Sequence, residues 1–159
     1  MKTIFRRSTI HLLVVLFFIN TACDPNNWSN STLSPEDLAG VWLEQEDTEE
    51  VHFTGSTHKF LFEENGEFQL EEDYWTDMLD PDDPCSLNRI DYVEGTFSIR
   101  SNQISFEGTF MNSDFTSASA NCEGKTKYNT QAVVDLEGDV LTLTEANGES
   151  IRLIRQESW

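Results

Sequence analysis

Positive charge is scarce in this sequence: ten Lys and Arg stand against twenty-nine Asp and Glu. A surface of that sign cannot displace counterions from a phosphate backbone, which excludes nucleic acid as a partner. It also repels anionic lipid headgroups, and it favours solubility through self-repulsion. Cysteine is sparse, with three in the chain, and no two stand in a C-x-x-C spacing, so neither thiol exchange nor a zinc cage is indicated. The three histidines form no H-x-H or H-E-x-x-H arrangement and give no metal-site signature. There is no G-x-S-x-G elbow, no phosphate loop and no nucleophile–base pairing, which points away from an enzyme. No cofactor is implied. No apolar run reaches the ~18–20 residues of a membrane-spanning helix, and no internal repeat occurs.

What is present begins with Lys2, Arg6 and Arg7, an apolar run over residues 12–19, and the small residues Thr21 and Ala22 before Cys23. This is the three-part layout of a secretory signal. The stretch Asn20-Thr21-Ala22-Cys23 resembles the lipobox of bacterial lipoproteins, with Asn20 where that family usually has leucine. The resemblance implies that residues 1–22 leave as a signal peptide and that Cys23 carries a diacylglycerol. The protein would then be lipid-anchored in the bacterial cell envelope, at the outer membrane rather than the inner, with acyl chains as its membrane contact. An ordinary secretory signal, with Cys23 free or paired, is the other reading. Loss of residues 1–22 removes three basic residues and no acidic one, so the remaining 137 residues carry seven against twenty-nine, a net −22. That length suits one domain.

With Cys23 committed to lipid, Cys85 and Cys122 remain, and the redox setting beyond the inner membrane permits a disulfide between them. Closing that 37-residue loop stabilises by about 4 kcal/mol in chain-entropy terms. Two isolated thiols are the alternative.

Residues 23–33 are polar, without periodicity, and read as a flexible tether; residues 34–159 form the domain. Ser34, Pro35 and Asp37 mark a helix start, and Gly40 stops it after one turn. Strand-like alternation then fills the chain over 40–45, 51–54, 58–63, 67–73, 90–100, 103–110, 126–136, 140–145 and 149–155. The hairpin signals are Asn65-Gly66, Ser101-Asn102, Gly138-Asp139 and Asn147-Gly148. Long polar loops occupy 74–88 and 111–125. Nearest-neighbour hairpins predict an all-β fold, an antiparallel up-and-down meander of about eight strands that closes into a small β-barrel.

The one-turn helix followed by Gly40-Val41-Trp42 resembles the G-x-W opening of the lipocalin superfamily. Over residues 34–155 the resemblance implies a lipocalin-like barrel in which Trp42 plugs one end and an arginine late in the last strand packs over it. Arg155, in phase with Ile151 and Leu153, is that arginine; Arg152 is out of phase. Glu44 and Glu46 share the phase of Trp42, so either the first strand is short or the interior is partly polar.

Phe60, Phe62, Phe68, Phe97, Phe106 and Phe110 recur on inward positions. They either line a pocket for a small apolar or amphipathic ligand or form plain core. Asp77, Asp80, Asp82 and Asp83 offer hard oxygen ligands, yet without the spacing of a calcium loop they read as solvated loop. His52 and His58, the histidines beyond residue 22, stand beside acidic residues or hydroxyls but in no metal-ligand pattern. The functional expectation is a lipid-anchored envelope protein that holds a small hydrophobic ligand inside the barrel. The alternative is a filled, non-catalytic module that meets a protein or glycan through the acidic loops.

Overall fold

The computed structural model describes residues 33–45, 54–76, 80, 83–86 and 88–158. The expected signal, Cys23, residues 24–32 of the tether, Glu46, His52, Asp77 and Asp82 lie outside the described residues. The short helix α1 spans Pro35–Leu38. The Asp37 carboxylate reaches back to accept bonds from the Ser34 N–H at 2.8 Å and the Ser34 hydroxyl at 2.9 Å, and Pro35 stands where a helix has no use for an N–H.

Eight strands follow: β1 Gly40–Glu44, β2 Thr54–Phe62, β3 Glu67–Thr76, β4 Arg89–Arg100, β5 Gln103–Met111, β6 Lys127–Glu137, β7 Val140–Glu145 and β8 Ser150–Gln156. Each pairs antiparallel with the next and β8 returns to β1, so the meander is a closed barrel. Alternation is the cause. In β6, for example, Ala132 and Val134 are buried while Gln131, Val133 and Asp135 are exposed. Strands with one apolar face bury it most completely by curling around a common interior, and closure removes the two reactive edges.

Two expectations need correction. The separate strand expected over 51–54 is not a unit: Thr54 opens the nine-residue β2, and 51–53 lie outside the described residues. Residues 74–76, expected at the start of the acidic loop, belong to β3. Side chains explain the extension. Tyr74 pairs with Arg89 of β4, and Trp75 lies over Gly55 of β2, where a Cβ would meet the indole at 2.4 Å.

One end of the barrel carries α1 and the β2–β3, β4–β5 and β6–β7 hairpins. The other carries the β7–β8 hairpin and the β1–β2, β3–β4 and β5–β6 connections. The Cys85–Cys122 disulfide joins the β3–β4 and β5–β6 connections, with Cα atoms 5.1 Å apart. The wall is uneven in height. β2 to β6 run nine to twelve residues, whereas β1, β7 and β8 run five to seven. β6 meets β7 only from Ala132 onward. Residues 127–131 therefore have β5 on one side and no strand on the other among the described residues. Midway up the tall wall, Gly95 of β4 faces Gly108 of β5; a Cβ on Gly95 would fall 2.1 Å from the Glu107 carbonyl oxygen. Glycine at both positions lets these strands approach and leaves room for the Phe68 ring.

Candidate functional site at the open end of the barrel

A plug closes one end of the barrel. Trp42 is fully buried and donates from Nε1 to the Leu38 carbonyl at 2.6 Å. Arg155 is its cross-strand partner. The guanidinium carbon lies 4.3 Å from the Trp42 ring centroid, and the group donates to the carbonyls of Asp37, at 2.8 Å, and Ala39. Three successive carbonyls at the end of α1, orphaned in any helix, are thereby taken up. Gly40 has φ +125°, and a Cβ there would crowd Arg155 Nη1 at 3.3 Å. This is the physical reason for glycine in Gly40-Val41-Trp42.

Above this plug, Phe60, Phe62, Phe68, Phe97 and Phe106 stack on one another. Their centroids are 5.0 to 6.5 Å apart, with Phe106 touching the other four. Rings in mutual contact occupy the space a ligand would need. These five of the six expected ligand-lining residues form a solid floor. The sixth, Phe110, sits higher and packs edge-on against Tyr128 at 6.0 Å.

The next level is charged. His58 pairs with Glu72 and Glu72 with Asp91 across β2, β3 and β4, and Glu44 joins from the end of β1. The Glu44 carboxylate accepts from the His58 backbone N–H at 2.9 Å and stands 2.7 Å from Nδ1; Glu72 stands 3.1 Å from Nε2. Burial pulls the His58 pKa down, but the bonds and charges of the two carboxylates outweigh it and push it up to about 9. The ring is therefore a cation at neutral pH and can donate to both. For Glu72, burial works to raise the pKa, and the bond and charge of His58 prevail and hold it low. Asp91 is shifted up by burial, against the opposing pull of Arg89. Because the two carboxylates sit on opposite nitrogens of one ring, the three groups do not converge as metal ligands must. The interior is partly polar, and the strand also stops at Glu44, so both consequences of that residue's phase hold.

At the mouth, Arg89 stacks 3.8 Å over the Tyr74 ring. It donates from Nη1 to the Cys85 carbonyl at 2.9 Å and lies 3.4 Å from Asp91 through Nε. Beside it a cavity of about 340 Å³ is lined by Tyr74, Phe110 and Tyr128, by Arg89, Lys125 and Lys127, and by the Cys85–Cys122 bridge. Burial raises the pKa of both tyrosines, so their hydroxyls stay neutral. A larger hollow of about 560 Å³ lies beside β6 over Ser105, Glu107, Asn129, Gln131 and Asn147. It has no cation and only Phe106 among aromatics, so it offers little to orient a ligand.

Sequence reasoning missed Arg89, Tyr74, Tyr128 and Lys125 as a group, and weighed His58 only as a metal ligand. The signal was present in phase: His58 leads Phe60 and Phe62, Glu72 follows Phe68 and Leu70, and Arg89 and Asp91 lead Val93. Asp80 and Asp83 hold local turns, with Asp83 Oδ1 accepting from the Cys85 N–H at 2.9 Å, as solvated loop residues do. Comparison of this chain with protein families, with curated proteins and with solved structures finds no match in any of the three.

Proposed function

We propose that this protein is a non-catalytic binding module of the bacterial cell envelope, anchored by lipid on Cys23, whose lipocalin-like barrel receives a small amphipathic ligand at its open end. The observation that carries the reading is the division of the interior. A close-packed phenylalanine floor lies below a cavity with aromatic walls and a few fixed polar groups, the composition typical of small-molecule sites. The volume of about 340 Å³ falls at the small end of the ~300–1,000 Å³ range of such pockets. Non-catalytic character is supported by His58. Both of its nitrogens are engaged by carboxylates, so neither is left to take a proton from a substrate.

Native mass spectrometry of the protein purified from envelope membranes tests the reading. The expected result is a mass excess over the lipidated chain that disappears on denaturation. A bare mass, unchanged after incubation with envelope lipid extract, would transfer the function to the outer surfaces of the acidic loops. Replacing Cys23 by Ser tests the anchor: the protein moves from the membrane to the soluble fraction, and retention in the membrane would refute lipidation at that residue.

A further inference from the structure

We infer that the ligand of the mouth carries an anionic head group, carboxylate or phosphate, seated on Arg89 with its apolar part against Phe110 and Tyr128. The inference rests on the cavity being a ligand site, as proposed above, and names its chemistry. Cations are rare here: only seven remain after residue 22, yet three of them, Arg89, Lys125 and Lys127, line this one cavity. The carboxylates of the level below do not line it. Glu44 and Glu72 are turned to His58, and Asp91 to Arg89.

Arg89 is built as a receptor group. Its guanidinium is fixed against the Tyr74 ring, and Nη1 and Nε are committed to the Cys85 carbonyl and Asp91. Nη2 has no protein partner among the described residues. A planar guanidinium held on one edge presents its other donors to an anion without further loss of freedom. The side chain is about one-fifth exposed, so solvent screens the charge less than at an open surface. Lys125 adds a second positive charge at the rim, where it pairs with Glu123, the single acidic residue lining the cavity. The neutral phenol of Tyr128 and the ring of Phe110, packed edge-on against each other, supply the apolar wall.

The test uses the full mature protein and four probes that share one tail: octanoate, octyl phosphate, octanol and octyltrimethylammonium. Calorimetric titration should show one or both anions binding at least tenfold more tightly than octanol and octyltrimethylammonium, with the advantage shrinking as salt rises. The tighter anion identifies the head group. Arg89→Met should remove the advantage and leave octanol within twofold of its original affinity. Lys125→Ala, at an exposed side chain and with the backbone bonds to Asn121 kept, should lower anion affinity about threefold; this second variant keeps the test decisive if Arg89→Met does not fold. Equal binding of all four probes, or preference for the cation, would overturn the head-group assignment while leaving an amphipathic site in place. Failure of all four to bind would overturn the site itself.

Discussion

The guanidinium of Arg155 lies 4.3 Å over the indole of Trp42, and together the two side chains take the carbonyls of Asp37, Leu38 and Ala39. A stack and three hydrogen bonds thus fasten α1 across one end of the barrel. Arg155→Ala removes the stack and two of the bonds, and should lower unfolding free energy by about 2–4 kcal/mol. Arg155→Lys should recover less than half of this, because an ammonium cannot stack flat and reach two carbonyls together. Urea unfolding followed by tryptophan fluorescence reads both. Equal stability of the wild type and the lysine variant would show that charge alone matters.

The Glu44–His58–Glu72 cluster gives stability a specific pH profile. The His58 pKa is raised from 6.5 to about 9 in the folded protein, so its contribution is complete below 6.5 and disappears as pH rises through 9. Glu72 has the opposite sense: its pKa is lowered, so its contribution is present above about 4.5 and lost as pH falls through the depressed value. Thermal stability should therefore be highest between about 4.5 and 6.5 and decline toward pH 10. Melts of His58→Gln over the same range should lose the alkaline decline; an unchanged decline would place its origin elsewhere.

The disulfide joins the β3–β4 and β5–β6 connections at the mouth. Replacing both Cys85 and Cys122 by serine should cost up to about 4 kcal/mol, given the 37-residue separation. It should also weaken binding of any ligand under the bridge, since the loops then order only on binding. Melting with and without a reductant, with thiol alkylation read by mass, checks the first part. Titration of the double variant checks the second.

Phe106 touches four other phenylalanines and is 2 % exposed. Phe106→Ala should cost about 3–5 kcal/mol, and Phe106→Trp about 1–3 kcal/mol through overpacking. If the tryptophan variant is as stable as the wild type, the floor is hollow and the ligand space extends below Phe110.

Gly95→Ala should destabilise more than its small volume suggests. The added Cβ would sit 2.1 Å from the Glu107 carbonyl oxygen, a backbone atom, so β4 and β5 must separate rather than repack a side chain. A loss of about 2–3 kcal/mol is expected. Gly138→Ala, with nothing within 4 Å of its Cβ position, isolates the cost of a positive φ alone. The two denaturation midpoints, compared directly, separate steric from conformational cost.

Much of this fold is legible along the chain because its causes are local. Alternation with period two marks each strand, and the hairpin dipeptides set which strands are neighbours. Gly40, Trp42 and the phase of Arg155 point to the plug, because a residue's face on a strand depends only on parity. Local pattern also limits what can be read. It placed residues 74–76 in a loop, since nothing nearby reveals that Arg89 covers Tyr74 and that Gly55 accommodates Trp75.

The composition of the mouth is a different matter. Glu44, His58 and Glu72 stand fourteen residues apart in succession and look like scattered strand charges in one dimension. Antiparallel pairing sets them side by side, and burial then makes each necessary to the next. Tyr74, Arg89 and Tyr128 come from three different strands, and they line one cavity because the barrel closes and the disulfide holds two loops over it. Parity along one strand determined which side chains face inward. Only the register between strands, a long-range property of the closed sheet, decided which of them share a level, where the phenylalanines fill the interior, and where a cavity remains.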